Sequence, residues 1–149
     1  MSSPQVSEED VVRQLATEIR ILEGSVTALQ SRLDVVRAAI SEVTVAHDTV
    51  EGLKNLQDGD SALIPVGPGS YVRMTVADSK TLVMGIGAGV AMDKSVESSA
   101  EELKNRLQDL EKARTAIQQQ LDQTIGRYQQ DREALEDLLS RRERDASRT

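Results

Sequence analysis

The chain of 149 residues contains no cysteine, tryptophan or phenylalanine, only two tyrosines and a single histidine. Without cysteine there is no disulfide framework and no thiolate metal site, which is compatible with a reducing compartment. So few rings leave little with which to anchor a large globular core. No apolar run approaches the length of a membrane span, and Met1 to Ser7 has neither the charged start nor the apolar middle of a signal peptide. A cytoplasmic location and no membrane partner are therefore expected. A formal net charge of -7 repels a phosphate backbone, and no basic stripe with interleaved aromatics appears, so nucleic acid is not an expected partner.

What the chain does have is Leu, Val, Ile and Ala in a long-range pattern. Ser7 followed by Glu8, Glu9 and Asp10 reads as a helix N-cap with acids in the first turn, where they suit the positive end of the helix dipole. From there Val12, Leu15, Ile19, Leu22, Val26, Leu29, Leu33, Val36, Ile40 and Val43 alternate spacings of three and four. That is a sustained heptad seam, and it continues through His47 and Val50 to a stop near Leu53 and Gly52. A second helix is expected from about Val96, weakly capped by Ser95. Its seam runs through Ala100, Leu103, Leu107, Leu110, Ile117, Leu121, Tyr128, Leu135 and Leu138, with Arg114, Thr124 and Asp131 in seam positions. Neighbouring Ala113, Ile125 and Leu139 can compensate through a small rotation. Basic Arg141, Arg142 and Arg144 complement the negative end of this helix, and Asp145 to Thr149 are expected to fray.

Between the helices, Ser61 to Lys94 changes period. Short apolar runs, Ala62 to Val66, Tyr71 to Val76, Leu82 to Ile86 and Val90 to Met92, are separated by glycine, proline and aspartate. This is the pattern of four strands in two hairpins. Gly67, Pro68, Gly69 and Ser70 fit a turn with proline second and a positive-φ glycine third. Gly85, Gly87 and Gly89 suggest a second tight hairpin or close approach between subunits.

The fold expected is α+β but mostly α: a long antiparallel two-helix coiled coil with two β-hairpins at its base that join an inter-subunit β-barrel. The whole chain, residues 1–149, reads as one subunit, with helix 7–53, assembly hairpins 61–94 and helix 95–145. Antiparallel folding places at one height residues whose numbers sum to roughly 147. His47 then lies near Ala100 and Val12 near Leu135, while Gly24 and Gly126 fall at almost one height in outward positions. Each glycine costs about 1 kcal/mol relative to alanine. Paired at one height, they mark a candidate soft point in the coil, with tolerated surface glycines as the alternative reading.

Candidate sites follow from this layout. A Ser/His/Asp triad would have to use His47, which reads instead as a polar seam residue fixing register. GIGAG lacks the third glycine of a dinucleotide loop and any following G-K-[ST], so it reads as a turn. No enzyme activity and no cofactor or metal is expected. Isolated hairpins expose unpaired edges, which makes oligomerisation close to obligatory. The assembly residues are Leu63, Ile64, Val66, Gly67, Gly69, Tyr71, Val72 and Met74 in the first hairpin and Val83, Gly85, Ile86, Gly87 and Gly89 in the second. Val11, Val12, Leu15, Leu135, Leu138 and Leu139 converge where the first and last turns meet, and offer adaptable apolar surface to another chain. Ordinary end-of-coil packing is the alternative reading of that cluster.

The connector sequences LIPVGPGSYVRMTV and VMGIGAGVAMDKS resemble those of the alpha class of prefoldin subunits, of the archaeal type. The likeness rests on Pro65, Gly67, Gly69, Tyr71 and Val72, and on Gly85, Gly87, Ala88, Gly89 and Lys94. It implies a hexamer of two alpha and four prefoldin beta subunits whose hairpins assemble into β-barrels. It further implies an ATP-independent holdase that captures non-native polypeptides at the coil tips and passes them to a group II chaperonin. The family's apolar tip maps by place to Val11, Val12, Leu15, Leu135, Leu138 and Leu139. A structural coiled-coil scaffold or spacer that binds one folded partner without chaperone activity is the competing expectation.

Overall fold

The computed structural model describes residues 5–149. In chain order it contains α1 (Glu8–Leu53), β1 (Ser61–Gly67), β2 (Ser70–Thr75), β3 (Thr81–Gly87), β4 (Val90–Ser95) and α2 (Val96–Ala146). Helix α1 opens on a reciprocal cap. The Ser7 hydroxyl accepts from the Asp10 N–H at 3.2 Å, and the Asp10 carboxylate accepts from the Ser7 N–H at 3.4 Å. Its end tightens through i to i+3 bonds, Lys54 N–H to the Glu51 carbonyl at 3.2 Å and Asn55 N–H to the Gly52 carbonyl at 3.2 Å. The Ser95 hydroxyl accepts from the Ser98 N–H at 3.1 Å and caps α2 as expected.

The chain divides into two compact units, one made of the segments up to Val36 and from Ala113 onward, the other of Arg37–Lys112. In the first unit, segments of α1 and α2 pack antiparallel around Leu29, Leu33 and Leu121, each at most 5% exposed, with Val26, Ile117 and Ile125 against them. The Tyr128 hydroxyl donates to Glu23 Oε1 at 3.1 Å across the pair, and Arg142 Nε lies 3.9 Å from Glu8 Oε1. Facing residues thus have numbers summing to about 150 rather than 147. The shift of three residues is nearly one turn, and it places Val12 beside Leu138 rather than Leu135. Arg114 is exposed while Ala113 is half-buried, the rotation that the polar seam position demands. Thr124 and Asp131 stay half-buried on the seam. Gly24 is exposed as expected, but Gly126 is half-buried.

In the second unit Val50, Met84, Val96, Ala100 and Leu103 are buried together, with Val43, Ala46, Leu53 and Leu82 packed against them. Strands β1 and β2 pair antiparallel with Ile64 opposite Val72 and Leu63 opposite Arg73, and β3 and β4 pair with Met84 opposite Met92 and Val83 opposite Asp93. The two hairpins share one register at an offset of twenty residues, and each carries its irregularity at the same place, Val66 in one and Ile86 in the other. The first turn has Gly69 at φ 68°. The second has Ala88 at 51° and Gly89 at 75°, the two positive angles of a type I′ hairpin turn. Backbone bonds fix the hairpin roots: Gly59 N–H to the Val76 carbonyl at 2.8 Å, Val76 N–H to the Asp60 carbonyl at 2.8 Å, and Val96 N–H to the Lys80 carbonyl at 2.9 Å.

Ser99 is fully buried in this unit and its hydroxyl has no hydrogen-bond partner. A buried hydroxyl without a partner costs about 1–3 kcal/mol. Ser99→Ala is therefore expected to raise the thermal midpoint, and a lowered midpoint would show that the hydroxyl is satisfied. Leu33→Ala, which empties the most buried layer of the first unit, is expected to lower stability to denaturant by about 2–5 kcal/mol.

Candidate assembly and client-binding surfaces

Strand alternation gives each hairpin two faces. On the second hairpin Leu82 and Met84 turn toward the helices and are half-buried and buried, whereas Val83 between them is 70% exposed. On the first hairpin both faces are open. Ile64, Val72 and Met74 occupy one and Leu63 and Tyr71 the other, all exposed, with Val66 exposed at the irregularity. Ile86 and Val90 are exposed at the end of the second hairpin. The structure thus leaves every apolar side chain of the expected assembly set uncovered within the chain. Gly67, Gly69, Gly87 and Gly89 lie in or beside the turns, and Gly85 is in β3 opposite Ala91.

Sequence reasoning missed what ties β4 to α2. The Lys94 ammonium of β4 donates to Glu102, which also accepts from Arg106 at 2.7 Å. The Lys94 hydrogen bond holds the Glu102 carboxyl below its ordinary 4.5. Lys54 acts likewise on Glu51, and the Thr81 hydroxyl with the Lys80 N–H holds Asp78 below its ordinary 3.8. The eight-residue spacing of Lys94 and Glu102 crosses a strand-to-helix junction, so no single period signals it. Leu82, Val83 and Met84 are all apolar, so the sequence does not show which of them face the helices.

The expected client-binding residues belong to the first unit. Val11, Val12, Leu15, Leu135 and Leu138 are half-buried and Leu139 is 42% exposed. The Glu8–Arg142 pair marks where these first and last turns meet. Deeper in the same unit, a groove of about 490 Å³ is lined by Glu23, Val26, Thr27, Ile125, Tyr128 and Gln129.

Catalytic features are sparse. His47 is half-buried, with its ring nitrogens 3.6 Å from Asp48 and 3.7 Å from Glu51, both acids of its own helix. Glycines 87 and 89 form the β3–β4 turn, whereas a phosphate loop would open a helix. A depression of about 520 Å³ in the second unit carries Lys54, Lys80, Ser79, Ser95 and Glu97 on its walls without a histidine or cysteine beside them. Among the described residues no group of three or more His, Asp or Glu could hold a metal, and no helix is long and apolar enough to cross a membrane.

Paired helices joined through two exposed hairpins define a coiled-coil subunit of a larger assembly. A family model described as "Prefoldin: Prefoldin subunit" matches residues 22–141. Prefoldin subunit alpha of Methanopyrus kandleri is 34% identical over 74% of this chain and 70% of its own length. That of Methanosarcina barkeri is 30% identical over 89% of this chain and 90% of its own. A chain of filamentous PFD from Methanocaldococcus jannaschii, solved by cryo-EM, is 21% identical, covering 88% of this chain and 97% of that one, with a TM-score of 0.47. This chain belongs to the prefoldin family, as the connector motifs suggested. Its role is of the chaperone type, in a family of chaperones rather than enzymes, and it assembles with other prefoldin subunits.

The salt bridges at the hairpin root predict an acid dependence. A carboxyl whose folded pKa is lowered contributes fully above its ordinary value and loses that contribution as pH falls through the folded value. Protection of β4 amides against hydrogen exchange is therefore expected to weaken progressively below pH 4.5 and to be less pH-dependent in Glu102→Gln. Protection that is flat with pH in the unaltered chain would show that the Lys94 bond does not secure the strand.

Proposed function

We propose that the chain is a holdase subunit that captures non-native polypeptides without ATP, on the apolar surface where its first and last helical turns meet. What supports this is the open apolar surface at the end of a seam that is sealed only at its middle, the layers between, such as Ile19, Leu22, Val26 and Ile117, being half-covered as well. Leu29, Leu33 and Leu121 are sealed at 5% exposure or less, but Val11, Val12, Leu15, Leu135 and Leu138 are only half-covered and Leu139 is open. Half-covered aliphatic side chains on paired helices can rearrange to meet many sequences, which suits a binder of unfolded chains. In this reading residues 1–149 act as one cytoplasmic subunit, the hairpins joining two alpha and four beta subunits through β-barrels. The open apolar faces of both hairpins support that assembly role. Several such surfaces in one hexamer give avidity to individually weak contacts, and release is to a group II chaperonin.

The combined variant Val12→Ser, Leu15→Ser, Leu135→Ser and Leu138→Ser is expected to assemble with its partners, by native mass spectrometry, and to lose most suppression of aggregation. Light scattering of two unrelated denatured clients reads the loss. Because those four residues also pair the helices, Val11→Ser with Leu139→Ser serves as a milder second variant, checked for helicity by circular dichroism. Full protection by both variants would remove the client site from these turns. Protection of neither client by the unaltered hexamer would favour a scaffold that binds one folded partner.

A further inference from the structure

Helix α1 carries a second heptad repeat on the side turned away from its seam. Thr17, Ile21, Gly24, Ala28, Ser31 and Val35 follow spacings of four and three, as the seam itself does, and every one is exposed in the first unit. None is charged. Ile21 is 63% and Val35 70% exposed, which a solvated helix back does not require. The equivalent positions of α2 in that unit are Gln119, Gln123, Gly126, Gln130, Glu133 and Asp137, none of them a large apolar residue. A Cβ built on Gly24 meets nothing within 4 Å, so its own chain supplies no packing reason for a residue that costs about 1 kcal/mol in a helix.

A sustained three-and-four spacing is matched by another helix laid alongside, not by an extended peptide. The flanking charges identify which helix. In an antiparallel pair of two α1 helices related by a two-fold axis at the height of Val26, bulky Ile21 meets small Ser31, Val35 meets Thr17 of similar size, and Gly24 meets Ala28, where the helices approach most closely. In the same register Glu18 faces Arg32 and Arg20 faces Asp34, each twice, four ion pairs of correct sign. Shifting the register by one heptad keeps the size match but opposes Glu18 to Ala39 and Arg20 to Ser41, which removes the pairs. Arg20, Arg32 and Asp34 are exposed and have no ionic partner within their own described chain.

We propose that this face of α1 docks antiparallel on the same face of a second copy of this chain. Size and charge are self-complementary, as a two-fold contact requires. The contact spans about five helical turns and exposes its charges at the rim, so it is weak and concentration-dependent by itself. It is separate from the hairpin surfaces, and it gives Gly24 a role as the point of closest helix approach.

The natural absence of cysteine makes the test direct. Gly24→Cys and Ala28→Cys are made singly in the full chain, mixed and oxidised mildly, and the cross-linked species are identified by peptide mass spectrometry. The expected product is dominated by the mixed 24–28 link. Glu18→Arg is expected to lower its yield several-fold, and Glu18→Arg with Arg32→Glu on the same chain to restore it. Circular dichroism verifies that these substitutions, all at exposed positions except half-buried Glu18, leave helicity unchanged. Only 24–24 and 28–28 links would mean a parallel contact and overturn the proposal, as would yields no higher than those of a cysteine at exposed Gln123. Client protection by the tip surface is read separately and does not enter this result.

Discussion

Antiparallel burial of aliphatic side chains along a narrow heptad seam is the constraint on which everything else rests. With no Phe or Trp and two Tyr, burial comes from Leu, Val, Ile and Ala in layers one or two side chains deep. Each fully buried Leu contributes about 1.5–3 kcal/mol, so many layers must act together. A seam of this kind tolerates local faults. Arg114 rotates out and Ala113 takes its place, and Tyr128 keeps its hydroxyl at the edge of the pair, bonded to Glu23. The same shallowness leaves the first and last turns half-covered, which a globular core would have sealed.

The second unit shows how one local motif acquires two fates. The hairpins share register, irregularity and turn position, so their local physics is alike. They differ in what covers them. Leu82 and Met84 join the buried cluster of Val50, Val96, Ala100 and Leu103, and Lys94 reaches Glu102. In the first hairpin Ile64 and Met74, at the places equivalent to Met84 and Lys94, stay exposed. One hairpin is bound to its helices while the other leaves both faces exposed.

Most of the fold was legible because its determinants are local and periodic. The seam of α1 from Val12 to Val50 is buried or half-buried at every expected position, and the caps at Ser7 and Ser95 form. The register of one helix against the other was read three residues off, because the loop and hairpins set it and no pattern within either helix encodes it. Gly126, expected to face outward, is half-buried. Ser99 and the Lys94–Glu102–Arg106 cluster were not visible in the sequence, since both depend on how a strand returns to a helix. For the candidate client surface, hydrophobic spacing indicated which residues share a side, while their degree of exposure needed the helices in place.

The sequence by itself determined two heptad helices, four short strands and the glycine turns between them, because spacing, capping and φ preference act over a few residues. Its connector motifs also pointed to the prefoldin family. Only the tertiary structure decided which layers close and which stay open, which hairpin is held by its own helices, and that the back of α1 stands bare, with Arg20, Arg32 and Asp34 lacking an ionic partner among the described residues. Those outcomes depend on the three-dimensional register of distant segments, where a shift of three residues changes every facing pair.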